Sequence, residues 1–509
     1  MINCTNENLY VVLQAGFPEN TDAPCLILPG NREISYGRLH QESARYANQL
    51  VSLGVRPGDR VAVQVKKSPA ALFLYLGCLR AGAVFLPMND AYQRHEVGYF
   101  LADSTPRIFI CRPDNRALAD ELAVAADVPH VFELADDGSG SLAEAVAMQP
   151  DRFETIERRG SDLAAILYTS GTTGLPKGAM LSHGNLAANA LVLHRYWGFQ
   201  PGDVLLHMLP IYHAHGLFVA IHCALLNGSP MLFETQFDSK RALELLPQST
   251  VFMGVPTFYV RLLVEKSFSQ ELCNNMRLFI SGSAPLLKET FDEFRSRTGH
   301  TILERYGMTE GGMFTSNPYD AERRGGTVGF PLPGTFIRIV DDAGNPLKSS
   351  EVGNILVKGP QVFVGYWGLP EKTKDEFTED GFFNTGDLGR LDDQGYITIV
   401  GRSKDLVISG GLNVYPKEVE EVIDEIPGVL ESAVIGLPDP DLGEKVTAVV
   451  VRQSGNSGNE LTETAVINAF KDTLAGFKAP KKVFFTDELP RNTMGKVQKN
   501  LLRQHYKEL

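Results

Sequence analysis

The sequence predicts an α/β protein, with a large multi-layer N-terminal domain followed by a small α+β C-terminal domain. Three observations predict it. Short, continuously apolar runs alternate with helix-length stretches over roughly the first 330 residues, the pattern of buried strands between helical layers. From about Gly334 the texture changes to strands of antiparallel type around a Gly/Asn turn. Beyond Gly401 helices and strands mix again in a shorter segment.

Each element has its own signal. RVAVQV (60–65), AVFLP (83–87), RIFIC (107–111), DVLLHML (203–209), PMLFE (230–234), TVFMGV (250–255) and RLFISG (277–282) are expected strands, because a run apolar on both faces suits a sheet covered on both sides. FIRIVDDAGNPL and NILVKG predict an antiparallel pair in a small barrel or sheet. PKEVEEVIDEI predicts a helix, while SAVIGL, TAVVVR and KVFFT predict the strands that it covers. The domain boundary is expected between 401 and 402, giving domains 1–401 and 402–509, and QSGNSGNE (453–460) is polar enough for an exposed loop within the second.

Composition narrows the function classes. With 48 Lys+Arg against 61 Asp+Glu the net charge is −13, which repels nucleic acid and anionic membrane as main partners. The six cysteines are scattered with no CxxC pair, as suits a reducing cytoplasm rather than a disulfide frame or structural zinc. The first basic residue is Arg32, so no signal or transit peptide is expected. The longest apolar run, Ala70 to Leu79, stops at Arg80, well short of the roughly twenty residues of a membrane span.

The stretch YTSGTTGLPKG (168–178) follows the apolar run LAAIL and holds the strongest chemistry. It is not a Walker loop: the second required glycine would fall on Pro176, and Lys177 is followed by Gly178 instead of a hydroxyl. What remains is a phosphate cradle of another kind. Thr169, Ser170, Thr172 and Thr173 offer hydroxyls, Gly171 and Gly174 let backbone N–H groups approach an anion, and Lys177 adds a mobile charge.

Four further segments follow in order: ERYGMTE (304–310), NTGDLG (384–389), GRSKDLVISGG (401–411) and PRNTMGKVQK (490–499). With the first loop they resemble the adenylate-forming superfamily of acyl-CoA synthetases, luciferases and peptide-synthetase adenylation domains, from roughly residue 30 to the C-terminus. The resemblance implies two α/β sheets plus a small β-barrel-like subdomain, and a C-terminal domain that moves as a lid. It also implies ATP, Mg²⁺ and coenzyme A: a carboxylic acid is adenylated with release of pyrophosphate, then passed to a thiol.

A carboxylate is already ionised at neutral pH, so this chemistry needs no nucleophile triad. The obstacle is an anion approaching a polyanion, which calls for cations and donors around the phosphates. By resemblance, the 169–177 loop cradles the leaving phosphates, Thr309 meets the α-phosphate and Glu310 holds Mg²⁺. Asp387 takes the ribose hydroxyls with Arg402 as its basic neighbour. Tyr306, followed by Gly307 and Met308, stacks near adenine, and Gly282, Ser283 and Ala284 line the same wall. Lys496 bridges the attacking carboxylate and the phosphate, Lys404 occupies the hinge, and Gly410 and Gly411 line the pantetheine channel.

The acid is read from the residues between the shared motifs. Five of the eleven histidines fall between 194 and 222, and Arg261, Arg277, Ser283 and Arg305 follow. A fatty-acid pocket would be apolar; these donors suit a second carboxylate on the substrate, with discrimination up to about 10⁴-fold. HMLPIYHAHGLF, VPTFYVRLL, SGSAPLL, ERYGMTE and TSNPYD further resemble the malonyl-CoA synthetase subfamily, some of whose members take methylmalonate. That resemblance implies that Arg261, Arg305 and Ser283 receive the distal carboxylate and that His213 shapes or gates the acyl pocket. Arg277, which opens a strand, reads as structural, and His194 and His222 as packing or surface residues. Ala214 and Gly311 depart from the subfamily pattern by lacking a hydroxyl and a side chain, which is expected to widen the pocket or shift preference. Another short or aryl acid, or a carrier protein in place of coenzyme A, stays open as an alternative.

Overall fold

All seven apolar runs of the first 282 residues form strands, and nearly every residue in them is buried, which is why none alternates. In the computed structural model the described residues are 6–170, 176–283, 286, 288–402, 407–414, 416–453, 461–471, 473–490 and 497–507. The strands divide between two sheets. A seven-stranded sheet runs in the order Gly365–Tyr366, Pro176–Ser182, Leu163–Ser170, Val84–Pro87, Arg60–Gln64, Ile108–Cys111, His130–Glu133. A nine-stranded sheet has Leu303–Met308, Leu278–Ser281, Val251–Gly254, Leu205–His207 and Met231–Phe233 as its parallel centre.

Helices cover the sheets as the apolar pattern requires. Helix Pro69–Arg80 starts on the Ser68 hydroxyl, which accepts from the Ala71 N–H, and buries Ala70 to Arg80 without a break. The longest apolar run is therefore a core helix, and among the described residues no helix is long and apolar enough to cross a membrane.

The expected β-barrel-like subdomain takes the form of a four-stranded antiparallel sheet, ordered Phe336–Val340, Gly353–Lys358, Phe383–Leu391, Ile397–Arg402. The C-terminal part is a five-stranded sheet built on the long hairpin Val429–Asp439 with Gly443–Arg452; helix Pro416–Asp424 packs Val419 and Ile423 into its core. Residues 403–406, where the hinge was expected, and 454–460, most of the expected polar loop, lie outside the described residues.

This topology brings the carboxyl ends of strands from both parallel sheets to one crevice, where ligands of open α/β sheets bind. Asn89, Thr169, Tyr212, His213 and Thr309, each at or just beyond such an end, line one cavity of about 80 Å³.

Candidate active site

The phosphate end is built on a hairpin. Strands Leu163–Ser170 and Pro176–Ser182 pair antiparallel, with Thr169 opposite Lys177 and Ser170 opposite Pro176, so they hold the 171–175 loop between them. Gly171, Thr172, Thr173 and Gly174 themselves lie outside the described residues. The Thr169 hydroxyl donates to the Glu310 carboxylate (3.3 Å), and the Tyr366 hydroxyl donates to the same oxygen (3.1 Å). Lys177 departs from the mobile charge expected of it. It is only 7% exposed, with its ammonium 3.9 Å over the Tyr366 ring and 3.6 Å from Glu376, and burial lowers its pKa against the pull of Glu376 and Glu310. Thr169, Lys177 and Glu310 are thus one network, joined through Tyr366.

Next to it, ERYGMTE folds as a tight hairpin, Leu303–Met308 against Gly312–Ser316, with Gly307 opposite Met313 and Met308 opposite Gly312. Tyr306 donates its hydroxyl to buried Asp387 at 2.6 Å, so two residues expected at the adenosine end are joined directly. Backbone register sets Asp387 opposite Arg402 across the next strand pair. Gly311 does not widen anything: the Phe314 ring lies 2.3 Å from where its Cβ would be, filling that space.

The acid end holds an unusual charge. Arg305 is 4% exposed, and among the described residues its Nε and Nη2 have no hydrogen-bond partner. Burial pushes its guanidinium down to about 9. Beside it stands His215, whose Nδ1 shares a 3.3 Å contact with the Ser283 hydroxyl and whose Nε2 has no hydrogen-bond partner among the described residues. Ser283 sits in the left-handed region (φ 71°) directly after Gly282, where a Cβ would fall 2.2 Å from the Arg305 Cζ; only glycine lets the guanidinium lie there. Burial, aided by the nearby guanidinium, lowers His213 to about 4 and His215 well below the usual histidine range, so both rings are neutral.

The histidine segment is itself held in place. His215–Ile221 forms a π-helical turn, a distortion that often marks working sites. Buried His207 donates from Nε2 to the Gly216 carbonyl (3.0 Å) and accepts at Nδ1 from the Lys67 ammonium (2.6 Å). Lys67 and Tyr366 were not singled out from sequence. The run of three histidines signalled His215; these two reach the site through contacts between distant segments.

Arg261 does not join this set. Its guanidinium is 46% exposed and pairs with both oxygens of Asp441 in the small domain, at 3.0 and 3.1 Å. Helix Pro256–Val264 explains why: Tyr259, Leu262 and Leu263 form its buried face, and Arg261 falls on the other side. Arg277 is structural, gripping Asp203, and His222 packs its ring against the Tyr75 hydroxyl (2.8 Å).

From the small domain a hairpin, Val407–Ser409 with Leu412–Val414, reaches the crevice. Its turn is Gly410–Gly411, with φ of 60° and 77°, as a tight two-residue turn requires. Gly411 lies against Val255, and Leu412 joins Phe477 in the wall of the cavity that Thr169, His213 and Thr309 also line. Ala284, Lys404 and Lys496 lie outside the described residues.

Residues 14–367 match the AMP-binding enzyme family and residues 418–496 the AMP-binding enzyme C-terminal domain. A malonate–CoA ligase of Arabidopsis thaliana is 34% identical over 545 residues, covering 98% of this chain and 89% of that protein. The crystal structure of apo MatB from Rhodopseudomonas palustris is 52% identical, with a TM-score of 0.77 and 99% of both chains covered. A malonyl-CoA ligase ternary product complex with methylmalonyl-CoA and AMP bound is 33% identical, with a TM-score of 0.80 over 95% of this chain and 100% of that one. On motifs, architecture and these matches alike, the chain belongs to the AMP-binding enzyme family.

Proposed function

We propose that this protein is an AMP-forming acid–CoA ligase that joins malonate, or methylmalonate, to coenzyme A through an acyl-adenylate. One observation carries the choice of acid: a buried Arg305 guanidinium with two nitrogens unpartnered among the described residues, beside neutral His213 and His215, the latter in contact with the Ser283 hydroxyl. A buried cation without a counter-charge is costly, and a substrate carrying a second carboxylate offsets that cost. A monocarboxylic acid leaves it uncompensated, so selectivity is built in.

In the first half-reaction one malonate carboxylate attacks the α-phosphorus of ATP and pyrophosphate leaves, while Arg305 and Ser283 hold the distal carboxylate. Thr169, Ser170 and Lys177, with the loop between them, receive the leaving phosphates, and Thr309 meets the α-phosphate. Gly282, Tyr306, Asp387 and Arg402 hold the nucleoside. Glu310 suits the Mg²⁺ that accompanies ATP: it is a single buried carboxylate, and among the described residues no cluster of three or more His, Cys, Asp or Glu offers the ion a site of its own. When bound there, the ion would neutralise phosphate charge. Lys496 bridges the reacting carboxylate and phosphate. In the second half-reaction the thiol of coenzyme A attacks the acyl carbon and AMP leaves. The small domain, numbered from 402 and hinged at Lys404, turns between the two and brings Gly410 and Gly411 to the pantetheine channel. Five cysteines among the described residues are buried and unbridged, in keeping with a cytoplasmic setting.

The test is thioester formation with Mg·ATP and free coenzyme A, comparing malonate, methylmalonate, succinate, acetate and octanoate at equal concentration. Strong preference for malonate or methylmalonate supports the reading. Preference for acetate or octanoate keeps the ligase and returns Arg305 to a structural role. Adenylation of malonate without thioester on free coenzyme A would point to a carrier-protein acceptor.

A further inference from the structure

The two domains meet at a buried ionic cluster that the chemistry above does not use. The Lys478 ammonium of the small domain lies 2.6 Å from Glu96 Oε1 of the large domain and 2.8 Å from Glu418 Oε1 of its own. The three side chains are 4%, 1% and 8% exposed. Glu96 adds a second contact across the interface, accepting the Ala475 N–H at 3.1 Å. Lys478 also rests over the Tyr92 ring, at 4.9 Å. Tyr92 and Phe477, the neighbour of Lys478, both line the cavity with Thr169, His213, Thr309 and Leu412. The ionic cluster therefore adjoins the part of the site that the small domain completes.

Its composition suits a clasp that opens. One lysine sits between two carboxylates, and among the described residues Glu418 Oε2 has no partner. A buried cluster with surplus charge and an unsatisfied oxygen is a poor permanent weld, since well-packed apolar residues would hold as well or better. Lys478 and Glu418 belong to the same domain, so their pair survives any movement of that domain. Within this cluster, Glu96 supplies the ion pair that reaches across to the large domain.

We infer that Glu96 is a positioning residue for the thiol-transfer half of the reaction: through Lys478 it holds the small domain where Phe477 and Leu412 close the cavity wall. This rests on the reading that one mobile domain serves two half-reactions in turn. A contact made in only one arrangement lowers the free energy of that arrangement and leaves the chemistry of the other untouched.

The full-length protein carrying Glu96→Gln, Lys478→Met or both is measured in two ways: malonate-dependent ATP–pyrophosphate exchange, and single-turnover thioester formation from preformed malonyl-AMP and coenzyme A. Exchange is expected within about twofold of the parent, transfer slower by about tenfold or more in either single variant, and the double variant no worse than the singles, because one interaction has been lost. Glu96 also caps its own helix by accepting the Gln93 N–H (2.9 Å). Lys478→Met leaves that cap intact and so separates positioning from helix stability. Unchanged transfer in Lys478→Met, or equal loss in both assays, overturns the inference. If the parent protein exchanges only with some other acid, the malonate reading fails and the same comparison is made with that acid and its adenylate.

Discussion

The acid end of the site and the domain interface each bury a cation, and they treat it in opposite ways. Arg305 lies beside neutral histidines with two nitrogens unmatched among the described residues, whereas Lys478 is gripped by two carboxylates for its single charge. The first arrangement demands an anion from outside, and the second holds more anion than it needs. Both are imperfect by the rule that buried charges be fully paired, and each imperfection fits its task. Recognition requires a deficit that the substrate fills; turnover requires a contact that can be released.

The largest expected effect breaks the first half of this contrast. Arg305→Met should lower kcat/KM for malonate by about a thousandfold while leaving any slow acetate activity within a few-fold, measured as thioester formation. Lys496→Ala probes the lid side and should cut malonate-dependent pyrophosphate exchange by about 10²- to 10³-fold, with transfer from preformed malonyl-AMP largely retained. Acid probes the buried neutral rings, His213 at the acid end and, away from it, His183 beside Leu9 and His222 beside Tyr75. Burial holds His213 and His183 at about 4 and His222 at about 3. The unfolded chain protonates these near 6.5 and the folded one does not, so stability is intact above about 6.5 and lost as pH falls from there toward 4, by on the order of a few kcal/mol. Urea midpoints at pH 7 and pH 5 would show the drop. The smallest effect belongs to Arg261→Met, expected to change malonate kcat/KM by no more than about a few-fold, since its exposed pair with Asp441 is weak.

The two arginines also show how far the sequence could be read. Both stood beside family motifs and looked alike. The spacing of Tyr259, Leu262 and Leu263 already set Arg261 on the outer face of its helix, while nothing local to Arg305 announced that Gly282 would open space for its guanidinium. Strands were legible because a buried parallel strand is written as an unbroken apolar run. The hairpin that carries the phosphate loop was legible as a motif, yet the capture of Lys177 by Tyr366 and Glu376 was not, for those partners arrive from nearly two hundred residues away. Lys67 with His207, and Glu96 with Lys478, are hidden for the same reason: a lone charged residue in an apolar segment gives no hint of its partner.

Gly282 has a consequence for how such an enzyme changes substrate over evolutionary time. The Arg305 guanidinium occupies the volume that any side chain at 282 would claim. A mutation at 282 alone collides with the arginine, and loss of the arginine alone leaves a hole beside unpaired polar groups. A lineage drifting toward acids with one carboxylate must alter both positions, and whichever change comes first yields a handicapped intermediate. The taste for a dicarboxylic acid is thereby made hard to lose by single steps.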